Sequence, residues 1–170
     1  MEMNMTENFF RILYENVADG SLSVTYLTGA DPPITKWFTT SQLEEMAAFA
    51  GKCGKKHNTY VNVNPRVKPL DSYHRGASGD VSTVIGLYQD YDIRGAAHVE
   101  TRLPETAEQL YDFADAALPE PSLTVYSGNG VHNYWLFHKP YRIRSEEDRA
   151  YIAGISQEAS QNLCKPIKRV

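Results

Sequence analysis

The chain lacks the cysteines and the long apolar segments that secreted and membrane proteins carry. Cys53 and Cys164 are the only cysteines among 170 residues, too few for a disulfide framework, so we expect a reducing compartment, the cytoplasm. No apolar run approaches the length that spans a bilayer, so we expect no membrane partner. The N-terminal stretch carries Glu2 and Glu7 without a basic cluster, which argues against a secretory signal.

An excess of positive charge is also missing. The chain has 17 Lys and Arg against 21 Asp and Glu, a net charge of −4, which argues against a protein that coats nucleic acid through its overall charge. A local basic groove around an acidic metal site remains compatible with that balance. The hydrophobic content of 42% is that of an ordinary globular protein, and the length suffices for one domain with a sizeable core.

The periodicity of the apolar residues predicts a mixture of helices and strands. A capping box of Ser41 and Glu44 is expected to open the second helix, and Pro140 to end the last strand. The predicted helices cover 7–17, 41–53, 104–118 and 145–163, and the predicted strands cover 22–27, 34–39, 58–64, 82–93, 122–126 and 131–138.

From residue 82 onward the predicted order is a strand, a helix, a β-hairpin and a helix. That order matches five of the six elements of the βαββαβ unit of ferredoxin-like and RRM folds. We therefore expect an α/β (α+β) chain with an RRM-like part, 82–163, after an N-terminal α/β part, 1–65. The closing strand is missing or confined to Lys165–Val170. In such a unit the strand that returns from the hairpin lies beside the first strand.

The strand that ends at Ile93 carries the first informative pattern. Side chains alternate between the two faces of a strand, so Asp90 and Asp92 share one face, while Leu87, Tyr91 and Ile93 share the other. Two neighbouring carboxylates repel each other unless a cation lies between them, and oxygen ligands suit Mg²⁺ or Mn²⁺. The alternative is a solvated strand end with two exposed acids.

The second pattern is the hairpin Ser127-Gly128-Asn129-Gly130 and the strand that follows it. Gly130 and His132 share a strand face, and the glycine leaves room beside the histidine. A tight glycine turn before an inward histidine can place backbone N–H groups and an imidazole against a phosphate. The alternative is a core histidine packed near Tyr134 and Trp135. The predicted topology favours the first interpretation, because it brings His132 and the two aspartates to the same cleft.

The segment 66–80 is a long loop for a compact domain, and such loops often have a function. Arg66, Lys68 and Arg75, together with two glycines, could hold phosphates. The alternative is a plain solvated loop.

The motifs Asp90-Tyr91-Asp92 and Ser127-Gly128-Asn129-Gly130-Val131-His132-Asn133-Tyr134-Trp135 resemble the first two motifs of archaeo-eukaryotic-type primases. The nearest branch is the RepB-like primase-polymerases of plasmids, phages and other mobile elements. The strand 60–66 and the basic loop after it are similar to that branch too, so the resemblance covers residues 58–138.

This resemblance implies a metal-dependent nucleotidyl transferase that acts as a DNA primase or polymerase. Asp90 and Asp92 match the family's ligands for Mg²⁺ or Mn²⁺, and His132 matches its ligand for the phosphates of the incoming nucleotide. The expected partners are nucleoside triphosphates, a DNA template and primer, and a helicase domain or other replication proteins. The nucleotide-binding residues expected beside His132 are Ser127, Gly128, Gly130, Arg66 and Arg75.

The chain departs from the family in one respect. The third family motif is a metal-binding aspartate on the strand after the last helix, and Lys165–Val170 contains no acid. We therefore expect a single primase-type domain, 1–170, that is incomplete at its C-terminus and polymerises weakly. Glu100 or Asp80 could replace the third ligand, although their spacing does not support it.

Three other functions fit the sequence less well. A catalytically silent nucleotide- or nucleic-acid-binding module of the same fold is favoured by the missing strand and opposed by two intact motifs. A replication-initiator nuclease needs a His-x-His pair, whereas His132 and His138 are six positions apart. Cys53 and His57 could form half of a zinc site, but their partners Cys164 and His74 are remote in sequence.

Overall fold

The computed structural model describes residues 5–29, 32–93, 104–106, 108–110, 112, 119–127 and 130–163. The chain divides into two compact units, and the division falls inside two long strands. The first unit consists of Met1–Ile85 and Lys139–Glu146, and the second of Gly86–His138 and Glu147–Val170.

The chain is an α+β protein, as the sequence predicts. Its helices are α1 (Met5–Tyr14), α2 (Leu43–Gly54) and α3 (Glu146–Leu163), with a short 3₁₀ helix at Ser78–Asp80. Its strands are β1 (Ser21–Leu27), β2 (Ile34–Thr39), β3 (Asn58–Val61), β4 (Thr83–Asp92), β5 (Leu123–Tyr126) and β6 (Gly130–Arg142). None of the helices in the described part of the chain is long and apolar enough to cross a membrane.

The first unit is organised around β1, the central strand of an antiparallel sheet with the order β2-β1-β3. Ser21 to Thr25 are all buried, which a strand shows when both faces of its sheet are covered. Helix α2 packs against the sheet and against α1, and the Phe49 ring lies 5.8 Å from that of Phe38 and 6.1 Å from that of Tyr26. The other face carries small polar groups, with a Thr25–Thr35 hydroxyl hydrogen bond of 2.9 Å.

The loop 66–80 is tied down at its base and along its length. Arg66 exchanges two backbone hydrogen bonds with Ser21, and the Val67 N–H donates to the Asp80 carbonyl at 2.8 Å. Farther along, the Thr35 N–H of β2 donates to the Ser72 carbonyl at 2.7 Å. The loop therefore occupies part of the outer edge of β2, which leaves fewer backbone groups of that strand without partners.

Three predicted boundaries are wrong. Helix α2 begins at Leu43 with Gln42 as the N-cap, and the Ser41 hydroxyl bonds to that of Thr39 instead of capping the helix. Helix α1 ends at Tyr14, although Val17 is still buried. Strand β3 ends at Val61, because at Asn62 only the bond from its N–H to the Ser23 carbonyl remains, at 3.3 Å, and a side chain replaces the other. The Asn62 Oδ1 atom accepts the Ser23 N–H at 2.5 Å, and its Nδ2 atom donates to the Asn64 carbonyl at 3.0 Å.

Pro140 does not end β6, contrary to the prediction. The partner strand β5 pairs only with residues 131–134 of β6, so on that side Pro140 has no neighbouring strand among the described residues. A proline without an N–H is tolerated where no ladder hydrogen bond is needed. Strand β6 therefore continues to Arg142.

The second sheet has the order β4-β6-β5, with β6 in the centre. This is the order expected of the first three strands of a βαββ unit, and the returning strand β6 lies beside β4 as predicted. One face carries an apolar cluster of Tyr91, Leu110 and Val131, with Ile93 packed against it. Leu110 belongs to the predicted helix 104–118, of which residues 108–110 and 112 are helical and most others lie outside the described residues. The closing strand, the loop 94–103 and Cys164 also lie outside them.

Candidate functional site

Asp90 and His132 meet on the face of β4 and β6 opposite to the apolar cluster. The His132 Nε2 atom lies 3.2 Å from Asp90 Oδ1, and the side chains are 34% and 60% exposed. The alternation of β4 produces this arrangement, because Tyr91 is buried at 9% while its neighbour Asp90 is exposed. The structure therefore brings together Asp90 and His132, which are 42 positions apart in sequence.

Two glycines let the backbones of β4 and β6 approach closely. A Cβ atom on Gly86 would overlap the carbonyl oxygen of Trp135, and one on Gly130 would overlap that of Tyr91. The space beside Gly130 is thus filled by the main chain of Tyr91, and the expected free room beside His132 is not the reason for this glycine. These contacts fix the position of β6 against β4, and with it the distance between Asp90 and His132.

Two tyrosines adjoin the ionisable pair on the same face. The rings of Tyr88 and Tyr134 stack with their centroids 6.3 Å apart and their planes 25° from parallel. Burial, and then the nearby charges of Tyr88 and Asp90, raise the pKa of the Tyr134 phenol to about 12. The sequence analysis missed this stack, although the strand alternation that groups Asp90 with Asp92 also includes Tyr88.

The pair of carboxylates offers oxygen donors of the kind that Mg²⁺ and Mn²⁺ prefer. Asp92 shares the face of Asp90 and is partly buried. Within the described ranges, no group of three or more His, Cys, Asp or Glu side chains is placed to hold a metal ion. Mg²⁺ is commonly held by one or two carboxylates together with substrate phosphates. The pair therefore fits an ion that arrives with a nucleotide better than a permanently bound one.

The hairpin turn is held by its own residues. The Ser127 N–H and hydroxyl donate to the Gly130 carbonyl at 3.0 and 3.2 Å. Gly128, which the sequence predicts to bind nucleotide, lies outside the described residues. The Ser127 hydroxyl oxygen keeps its capacity to accept a hydrogen bond, while its proton is used within the turn.

The two arginines predicted to bind phosphate, Arg66 and Arg75, belong to the first unit. The Arg66 Nε atom donates to the Arg75 carbonyl at 3.5 Å, so these residues lie together at the base of the loop. Asp80, one candidate for a third metal ligand, accepts the Ala77 N–H at 2.8 Å and thereby caps the 3₁₀ helix. Glu100, the other candidate, lies outside the described residues.

Among the residues that the structure describes, no further ligand joins Cys53 and His57, which were considered as half of a zinc site. Cys53 is buried and free, and burial raises the pKa of its thiol more than the charges of Lys52 and Lys36 lower it. A neutral thiol is a poor metal ligand. Its neighbour His57 packs against the ring of Tyr26, with the centroids 5.5 Å apart.

A solved structure shares this arrangement of strands and helices. The chain aligns with the structure titled "Cyanophage S-2L Primase-Polymerase (PrimPol), AEP domain" at a TM-score of 0.59, over 95% of this chain and 72% of that one. The chain has the fold of a primase-polymerase domain. The sequences are 14% identical, so the likeness establishes the fold alone. It confirms the fold class expected from the resemblance to archaeo-eukaryotic-type primases and does not assign the chain to a branch of them.

Comparisons at the level of sequence add nothing to this likeness. No family model matches the chain, and no curated protein matches it.

Proposed function

We propose that this protein is a metal-dependent nucleotidyl transferase that extends DNA in the manner of a primase-polymerase. The observation that carries the proposal is the 3.2 Å contact between Asp90 and His132 on an exposed strand face. The shared fold with a primase-polymerase domain supports it. Phosphoryl transfer depends mainly on positioning and on charge neutralisation, and a carboxylate beside an imidazole on rigid strands supplies groups for both.

The two aspartates and the histidine would bind different groups. Asp90 and Asp92 would hold Mg²⁺ or Mn²⁺, which when bound neutralises the triphosphate and favours attack by the primer 3′-oxygen. His132 would donate a hydrogen bond from Nε2 to a phosphate oxygen of the incoming nucleotide. The Asp90 carboxylate lies 3.2 Å from that nitrogen, so Nε2 would exchange this contact for the phosphate once the carboxylate holds the metal ion.

The carboxylate pair is tested with the double variant Asp90→Asn and Asp92→Asn. We expect the Mn²⁺-dependent rise in melting temperature to disappear and primer extension to fall on the order of 10³-fold or more. The matched control is Asp19→Asn with Asp112→Asn, which removes the same charge from two other exposed positions. A melting shift of parental size in the Asp90 and Asp92 variant would rule out this metal site.

The role of His132 is tested by nucleotide affinity. His132→Ala should weaken the binding of a nucleoside triphosphate by about 1–3 kcal/mol, the scale of a hydrogen bond to a charged group. His138→Ala is the control, because His138 lies on the same strand and is exposed. Equal losses in the two variants, or none in His132→Ala, would contradict the assignment.

A second candidate is a catalytically silent module that binds nucleotide or nucleic acid. It is favoured by the finding that no third metal ligand joins Asp90 and Asp92 among the described residues. Primer extension separates the two functions. The transferase extends a labelled primer in Mn²⁺ and loses this activity in the double Asn variant, whereas the silent module binds nucleotide without extending the primer.

The finer assignments belong to the same proposal. We place the protein in the RepB-like branch, in the replication machinery of a plasmid, phage or other mobile element in the cytoplasm. Nucleoside triphosphates and a DNA template and primer are its substrates, with a helicase or another replication protein as its partner. The remaining residues proposed to contact nucleotide are Ser127, Gly128, Gly130, Arg66 and Arg75.

A further inference from the structure

The open face of the second sheet has a charged half and an aromatic half. Asp90 of β4 and His132 of β6 form the charged half, with 3.2 Å between Asp90 Oδ1 and His132 Nε2. Two residues farther along the same strands, Tyr88 and Tyr134 form the aromatic half, with ring centroids 6.3 Å apart. Alternate residues of a strand share a face, so the two halves are neighbours, about 6–7 Å apart along each strand. The proposed function uses the charged half and assigns no role to the aromatic half.

The Tyr88 ring is supported on one side and open to solvent. Tyr88 is 50% exposed, whereas Tyr134, against which it stacks, is only 5% exposed. The two ring planes are 25° from parallel, so the buried ring restricts the orientation of the exposed one. The next residue of β4 on this face is Gly86, which has no side chain to cover the Tyr88 ring. The exposed ring is therefore pre-oriented and has surface available for a planar ligand.

The aromatic half extends onto the third strand of the sheet. Leu123 of β5 pairs with Tyr134 in the strand register, so its side chain lies on the same face, where it is partly buried. The face thus changes from charged to apolar over one step along the strands. A ligand that fits both halves carries negative charge at one end and a planar ring system at the other.

We infer that the Tyr88 ring stacks against the base of the nucleotide whose triphosphate is bound at Asp90 and His132. The inference rests on the proposed function, which places the phosphates there and assigns no residue to the base. Every base has a π-face, so an aromatic ring adds affinity for any nucleotide without selecting a sequence. A flat ring surface fits a planar base better than a puckered sugar, so deoxyribonucleotides and ribonucleotides should gain equally from Tyr88.

Ligands with and without a base test the two halves of the face separately. Dissociation constants of dATP, ATP and inorganic tripolyphosphate are measured by calorimetry in Mg²⁺ without DNA. Tripolyphosphate has neither sugar nor base, so it reports on the charged half alone. In Tyr88→Ala, dATP and ATP should each bind about fivefold or more weakly, the scale of a lost base–aromatic stack. Tripolyphosphate should bind to this variant as tightly as to the parent.

Two further substitutions separate the ring from its packing. Tyr88→Phe keeps the ring and should bind all three ligands like the parent. Tyr88→Leu keeps an apolar side chain without the ring, so it should lose nucleotide affinity as Tyr88→Ala does, and it replaces the alanine variant if that one does not fold. The matched control is Tyr151→Ala, which removes a 61% exposed ring from α3 in the same unit and should leave all three affinities unchanged.

Three results would overturn the inference. Parental affinity for both nucleotides in Tyr88→Ala would show that the ring does not contact the base. Equal losses for dATP and tripolyphosphate would show that Tyr88 acts only by positioning the charged half. A loss confined to one of the two nucleotides would show that Tyr88 contacts the sugar.

Failure of the proposed function gives a different result. If His132→Ala binds tripolyphosphate as tightly as the parent does, the proposed phosphate site is wrong, whatever Tyr88→Ala shows. If His132→Ala weakens the binding of all three ligands while Tyr88→Ala weakens none, the phosphate site stands and only the role of Tyr88 is overturned.

Discussion

Strands β1 and β4 are both rich in β-branched and aromatic residues, yet they differ in how their faces are covered. Five successive residues at the start of β1 are buried. In the C-terminal half of β4, buried Tyr91 alternates with exposed Tyr88 and Asp90. The first arrangement removes both faces of the strand from water and buries apolar side chains on one of them, which favours stability. The second holds ionisable groups on a rigid strand while leaving them open to ligands.

The comparison predicts the largest loss of stability for a substitution in the core of the first unit. Leu22 is fully buried, so Leu22→Ala should lower the free energy of unfolding by about 2–5 kcal/mol. Leu27→Ala, on the same strand but 37% exposed, should cost much less. Urea denaturation of both variants measures the difference. Losses of equal size in the two variants would show that β1 is not covered on both faces.

The next effect concerns the close approach of β4 and β6. Gly86→Ala should destabilise the protein by about 1–3 kcal/mol, because the added methyl group overlaps the Trp135 backbone. Gly154→Ala in α3 meets no atom within 4 Å and should instead stabilise the helix by up to about 1 kcal/mol. Changes of opposite sign in the melting temperatures of the two variants would support the comparison. Shifts of the same sign would contradict it.

Tyr134 should make stability depend on alkaline pH. The folded protein holds the phenol proton until about pH 12, whereas an unfolded tyrosine loses it near pH 10. This contribution is fully present below about pH 10 and is lost as the pH rises from about 10 to 12, by about 1–3 kcal/mol. Tyr134→Phe removes the group, so its stability should fall less steeply over that range. Parallel pH profiles for the parent and this variant would contradict the burial of the phenol.

The smallest loss of stability is expected for the half-exposed ring of Tyr88. Tyr88→Ala should cost about 0.5–1.5 kcal/mol through loss of the stack on Tyr134, and Tyr88→Phe should restore it. Tyr73→Ala removes a ring that is 60% exposed, and should have no measurable effect on unfolding. If Tyr88→Ala behaves like Tyr73→Ala, the open face of β4 contributes nothing to stability and serves ligands alone.

The alternation of strands made much of the fold and the centre of the candidate site predictable. It assigned Asp90 and Tyr91 to opposite faces, and the βαββ order then predicted β6 beside β4, with His132 near Asp90. The details that sequence did not predict depend on contacts between distant segments. The replacement of ladder bonds by Asn62, the need for Gly86 and the tolerance of Pro140 all follow from the register of strands separated by long stretches of chain. Ser41 was misassigned because Thr39 competes for its hydroxyl.

The backbone hydrogen bonds of Arg66 bear on where residues can be inserted into the protein. Its backbone bonds to Ser21, and those of Val67 to Asp80, close the segment 67–79 at its base. Each doubling of the length of a flexible loop whose ends are already fixed adds only about 0.6 kcal/mol of closure entropy. Residues inserted between Lys68 and Pro69, which are exposed and lie between the attachments at Val67 and Ser72, would lengthen the loop without shifting either neighbouring strand. This position is a natural place to graft a peptide, a fluorophore site or a second domain onto the protein.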